Sequence, residues 1–209
     1  MCTAILAGAA LALSLDPLPA SSFVLPTNSL QFQSYLTGQW SCKKVVRYTQ
    51  GGLSGRFEGT ASFTVLDAEA APRLLAYSER GIFTPDEAAS FSEVETRNAL
   101  LYDFRDWQRC DVLFDAAQDR SSAQSILAGG QLLYSLVPSE EGTMRSASSD
   151  GLGDAPAADD REDVTYSGQL EVSAEDAFLS TWYIEGGAQQ GNILSLFRRL
   201  VSPALPLDA

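Results

Sequence analysis

The side chains best suited to chemistry in this sequence are a few carboxylates, phenols and arginines at alternating positions. Glu79 follows Tyr77 by two residues, so in an extended strand both lie on one face. A phenol beside a carboxylate can orient a polar ligand or move a proton. Arg97 is the natural cation for Glu79, and Glu93 and Glu95 share its parity. Two arrangements remain open on the residues alone. An inward Glu79–Arg97 pair needs extra hydrogen bonds to offset desolvation, and can then anchor a ligand carboxylate. An outward Glu79 belongs to a solvated ladder of alternating charge. Tyr102, Tyr166 and Trp182 join Tyr77, Glu79 and Arg97 as candidate ligand contacts, being large amphipathic rings on strand-like alternations.

Other chemistries are excluded by composition. The chain has no histidine, which removes Ser-His-Asp and Cys-His catalysis, histidine-based zinc sites and haem on a proximal histidine. Its three cysteines, Cys2, Cys42 and Cys110, form no CxxC. A Cys42–Cys110 disulfide is one reading, and three free thiols are the simpler one. On strands, Cys42 and Cys110 read as core residues rather than as attachment points for a tetrapyrrole. The acidic residues lack the spacing of a calcium loop. No metal and no cofactor is expected.

The elements that must position these residues are strands. Residues 56–66 alternate Phe57, Gly59, Ala61, Phe63 and Val65 with Arg56, Glu58, Thr60, Ser62 and Thr64, one buried face against one wet face. A Gln50-Gly51-Gly52 turn signal joins them to residues 39–48 as a hairpin. Further strands are expected over 74–83, 91–104, 110–114, 132–137, 164–172, 178–184 and 191–200. Residues 29–37, with Leu30, Phe32, Tyr35 and Leu36, form a short amphipathic helix suited to plugging a barrel end. Eight or nine antiparallel strands in sequence fit an all-β, up-and-down barrel, which leaves no open edge; a sandwich is the alternative. The barrel domain spans 29–202, and residues 1–28 form a leader or linker. Residues 138–163, rich in Ser, Gly, Asp and Ala, read as an acidic disordered loop.

Charge narrows the partners. Net charge is −13 and pI about 4.3, a surface that repels nucleic acid and anionic lipid. Residues 138–163 hold eight acids against two arginines, so much of the acidity belongs to one loop. The apolar run 4–15 is too short to span a bilayer, so no membrane span is expected. Small residues at 20–22 suit signal cleavage, yet the first Lys or Arg is Lys43 and the basic n-region is missing. A cytoplasmic chain with an unprocessed leader is slightly favoured, with secretion as the alternative.

Gly38-Gln39-Trp40 at the first strand, with Arg199 or Arg198 near the end of the last, resembles the calycin group of lipocalins and fatty-acid-binding proteins. That resemblance implies that Trp40 closes the barrel base beneath the arginine, with Gly38 beside them. A closer resemblance is to the uncharacterised DUF6314 family, carried by residues from Leu36 to Arg199. The matching motifs are Leu36-x-Gly38-x-Trp40, Gly55-Arg56-Phe57-x-Gly59-x-Ala61-x-Phe63, Leu75-x-Tyr77-x-Glu79-x-Gly81, Phe114-Asp115, Tyr166-x-Gly168, Trp182-x-x-x-Gly186 and Phe197-x-Arg199. The chain departs from that family's pattern in lacking its Phe-His pair and its His-x-Cys segment, and Gly186-Gly187-Ala188-Gln189 replaces a Gly-Pro-Arg-Lys turn. An activity resting on those groups would be absent here. The resemblance implies a calycin-like barrel that holds a small apolar or amphipathic ligand. The alternatives are a filled barrel whose acidic loop meets a basic protein partner, and a metal-independent enzyme using a lumen Glu/Tyr pair.

Overall fold

The computed structural model describes residues 23–66, 73–87, 100–114, 127, 129–147, 164–186 and 189–200. Among the described residues, helix α1 (Ser29–Leu36) precedes ten strands: β1 (Gly38–Gln50), β2 (Gly55–Val65), β3 (Leu74–Pro85), β4 (Leu100–Asp106), β5 (Arg109–Phe114), β6 (Gln131–Glu140), β7 (Thr143–Ser146), β8 (Thr165–Ala174), β9 (Ala177–Glu185) and β10 (Gln190–Arg199). Every neighbouring pair is antiparallel, and β10 returns to β1 to close the barrel. The architecture is therefore the up-and-down barrel expected from the alternation, with ten strands instead of eight or nine.

The additional strand is β7, which falls inside the stretch read as an acidic disordered loop. Residues 138–146 are instead a hairpin: Leu136 to Glu140 pair with Thr143 to Ser146, and Gly142 takes a φ of 74° at the turn. Only Met144, fully buried, gives that strand an apolar signature, so its acidic and glycine-rich flanks conceal it. Residues 148–163 lie outside the described residues, as do residues 1–22 of the leader or linker expected over 1–28, Arg97 and the upstream part of the strand expected over 91–104.

The alternation sends one side chain in two into the lumen. Facing inward are Trp40, Cys42, Lys44 and Val46 on β1, Phe57, Ala61 and Phe63 on β2, and Leu75, Tyr77 and Glu79 on β3. Cross-strand register arranges them in rows. One row runs Cys42, Phe197, Phe178, Val172; the next runs Lys44, Ser195, Ser180, Leu170; the one after runs Val46, Ile193, Trp182, Gly168. A small second cluster, Leu101 with Leu113, lies on the outer face of β4 and β5 against Leu66, Ala76 and Leu127.

Helix α1 seals one end. Asn28 caps it, its side chain accepting from the Gln31 amide at 3.0 Å. Phe32 and Leu36 are buried beneath it. The helix is tied to the strand turns at that end: the Ser29 amide donates to Trp107 O at 3.1 Å, and the Tyr35 hydroxyl to Ala174 O and Ala177 O at 2.8 and 2.9 Å. Trp40 Nε1 donates to Leu36 O at 2.7 Å, and the Arg199 guanidinium lies 4.2 Å over the Trp40 ring. Arg199 also donates to Thr37 O at 3.1 Å and to Tyr35 O. Gly38 has a φ of 128°, and a Cβ there would come within 3.2 Å of Arg199 Nη1, so both its backbone and its neighbour call for glycine.

Candidate functional site

Above that floor the lumen is not filled. A cavity of about 300 Å³ lies between the stacked rings of Phe178 and Phe197, whose centroids are 4.3 Å apart, and the barrel end carrying Tyr48, Tyr166 and Gln189. Its position follows from the rows. Phe197 and Phe178 face each other in one row, Ser195 and Ser180 in the next. Two hydroxymethyl groups replace two phenyl rings, and the lost volume opens the cavity. Above it, Trp182 packs edge-on against Tyr134 at 5.2 Å and donates from Nε1 to Ser180 Oγ at 2.9 Å. Exposure rises toward Tyr48, Tyr166 and Gln189, so the cavity opens at that end.

Lys44 is the one Lys, Arg, Asp or Glu among the described residues lining this cavity. It stands directly across β1–β10 from Ser195. Its ammonium makes an ion pair with Glu79 Oε2 and lies 5.5 Å from the Phe57 ring centroid and 5.7 Å from that of Tyr77. The two side chains are 13% and 3% exposed, so the pair is buried. The Tyr77 hydroxyl donates to the same Glu79 oxygen. Cross-strand pairing sets Glu79 in the row of Ala61 and Trp40, not in that of Lys44. Strands of a closed barrel are tilted against its axis, so residues of different rows meet at one height. Desolvation is offset in this cluster by an opposite charge, a phenol donor and two ring faces.

The surroundings hold neighbouring acids in their neutral forms. Burial, then the Glu79 charge, pushes the Tyr77 phenol well above its usual value. Burial also raises Tyr102 and Tyr134. The Cys42 thiol is pushed up to about 12, by burial first, with Lys44 lowering it and Glu79 raising it. Cys42 and Cys110 are both free and buried. Neither is a reactive thiolate near neutral pH.

Of the residues singled out from the sequence, Tyr77, Tyr102, Tyr166 and Trp182 line the cavity, and Glu79 lies buried behind Lys44. Arg97 is outside the described residues, and Lys44 is the cation observed on Glu79. Sequence reasoning passed over Lys44, Ser180 and Ser195. A signal for Lys44 existed: it shares parity with Trp40, Cys42 and Val46, all buried on the same strand.

Comparison with known proteins places the chain in a family. Residues 36–199 match DUF6314, a family of unknown function, and the chain belongs to it. No curated protein matches the chain in sequence. Among solved structures, an S-type phycobiliprotein lyase, CPES from Guillardia theta, is similar at TM-score 0.54 and 11% identity, over 84% of this chain and 94% of that one. Rv2717c from M. tuberculosis is similar at TM-score 0.50 and 11% identity, over 83% of this chain and 98% of that one. The likeness is one of fold: a lipocalin-like barrel.

Proposed function

We propose that this DUF6314 member is a small-molecule binding barrel whose ligand lies between the Phe178–Phe197 stack and the mouth, its polar end at Lys44. The observation that carries this reading is the row of Ser195 and Ser180 above two stacked phenylalanines, which leaves a ring-lined cavity of about 300 Å³ with one cation, Lys44, among the described residues on its wall. That volume is at the small end of ligand pockets, which run from roughly 300 Å³ upward and are mostly apolar with a few placed polar groups. Phe63, Tyr102, Trp182 and Ile193 supply apolar wall, and Tyr77, Tyr166, Ser180 and Ser195 supply hydroxyls. Binding is favoured over acid–base catalysis because Glu79 is already engaged by an ammonium and a phenol donor.

The test is titration with N-phenyl-1-naphthylamine, a neutral apolar fluorophore. The wild-type chain is expected to show saturable 1:1 enhancement at micromolar concentrations. Ser195→Phe places a ring in the cavity and is expected to weaken binding at least tenfold, with the melting temperature held or raised. Absence of saturable binding to the wild-type chain, or equal binding to the filled variant, would overturn the reading.

A further inference from the structure

Resting on that reading, we infer that Lys44 captures aldehydes: an apolar ligand with a terminal aldehyde enters the lumen and is held as a reversible imine on the lysine nitrogen. The sequence sets this lysine apart. The chain has twelve arginines and two lysines, and the two lysines are adjacent. Lys43 is exposed on the outer face and pairs with an equally exposed Glu58. Lys44 points inward and lines the cavity. For a buried ion pair alone, arginine is the usual partner of a carboxylate, because its planar fork stays charged and can bind both oxygens. A guanidinium does not form an imine with a carbonyl; an amine does, once it sheds a proton. The lumen wall thus carries, among the described residues, the one cationic side chain that carbonyl capture can use. Cys42, two residues earlier on β1, is not a competing nucleophile: it does not line the cavity, and burial pushes its thiol up to about 12.

The step balances without an oxidant or a reductant. Lys44 Nζ attacks the carbonyl carbon and a C–N bond forms. The carbonyl oxygen leaves as water with two of the three ammonium protons, and the third stays on the iminium nitrogen. Ammonium and iminium carry the same charge. The exchange therefore leaves the cation facing Glu79 in place, whatever other contacts that carboxylate makes. Ser195 stands directly across β1–β10 from Lys44 and also lines the cavity, so a hydroxyl is at hand for the carbonyl oxygen. Phe63, Tyr102, Trp182 and Phe197 give the rest of the ligand an apolar wall. A tail filling that space excludes the water that would hydrolyse the imine, and unfolding readmits it. Reactivity selects the class: an aldehyde carbon is open to an amine, a ketone carbon is more crowded, and a carboxylate or an alcohol offers no electrophilic carbon.

The experiment incubates the full chain with decanal and sodium cyanoborohydride, which fixes an imine as a secondary amine. The intact mass is expected to rise by one decyl group per chain. Peptide mapping is expected to place that group on Lys44 at least tenfold faster than on Lys43, against the order of exposure. Excess N-phenyl-1-naphthylamine is expected to slow labelling of Lys44 at least tenfold and to leave Lys43 unchanged. The isomer 2-decanone is expected to displace the probe but to be trapped at least tenfold more slowly than decanal. In Lys44→Arg, whose fold is checked by its melting curve, the fast decyl group is expected to be lost. Labelling of Lys43 or the N-terminal amine as fast as Lys44 would overturn the inference, and so would fast labelling kept in Lys44→Arg or trapping of 2-decanone at the rate of decanal. Saturable binding of the probe alongside any of these would leave the binding reading standing. Failure of the probe itself to bind would remove that reading, so the two failures are told apart.

Discussion

The floor and the mouth of this barrel share strands, register and alternation, yet one is packed solid and the other holds space. At the floor, Trp40 meets Phe178 edge-on at 4.8 Å, Tyr35 lies 5.5 Å from Trp40, and Phe178 stacks on Phe197 at an interplanar angle of 5°. A helix, a guanidinium and several backbone acceptors lock those rings in place. One row higher the rings give way to Ser195 and Ser180, and the lumen turns into a cavity with Lys44 on its wall. Ring packing is thus concentrated at one end and open space at the other.

The sharpest way to break this contrast is to truncate one tryptophan at each end. Trp40→Ala is expected to cost about 3–5 kcal/mol, the usual range for deleting a buried large ring. Trp182→Ala, at a half-buried position, is expected to cost clearly less while weakening probe binding. Chemical denaturation of both variants checks the order, and a larger loss at Trp182 would invert the comparison. The ion pair gives the next effect. Glu79→Leu strands the Lys44 ammonium and is expected to cost about 3–5 kcal/mol at most, whereas Lys44→Met with Glu79→Leu recovers most of that loss. A double-mutant cycle with no recovery would show that the two side chains do not act as a pair.

Arg199→Ala is expected to cost about 1–3 kcal/mol, since it removes a cation–π contact of roughly 0.5–2 kcal/mol together with two hydrogen bonds to backbone. Arg199→Lys is expected to fall between, because an ammonium cannot reproduce the planar fork. The smallest effect is set by pH. Tyr77, Tyr102, Tyr134 and the Cys42 and Cys110 thiols are all raised in the folded chain. A group raised on folding lends stability that is fully present below its unfolded value and is lost as pH climbs toward its folded value. The chain is therefore expected to hold its melting temperature from pH 7 to about 8.5, the ordinary thiol value, and to lose it progressively above. A melting temperature that rises over that alkaline window would contradict the buried, neutral state of these groups.

Legibility in the sequence followed the same division. Period-two alternation exposed β2 and β9 directly, and Gly38, Trp40 and Arg199 marked the closure that the register then placed side by side. β7 stayed hidden because four residues with one inward methionine carry almost no periodic signal. Lys44 was passed over because a lysine beside Lys43 reads as surface charge, although Lys43 is exposed and pairs with Glu58 while Lys44 points inward. The cavity was out of reach for a different reason. Ser180 and Ser195 are fifteen residues apart and meet only through the pairing of β9 with β10, a tertiary fact that neither strand announces alone.

Native mass spectrometry of the chain purified from its own cells bears most directly on the claim that the upper lumen holds a ligand. The expected spectrum shows one adduct of a few hundred daltons per chain, released on denaturation and missing from Ser195→Phe prepared in the same way. A bare wild-type mass, joined to a melting temperature unmoved by N-phenyl-1-naphthylamine or 2-decanone, would contradict it.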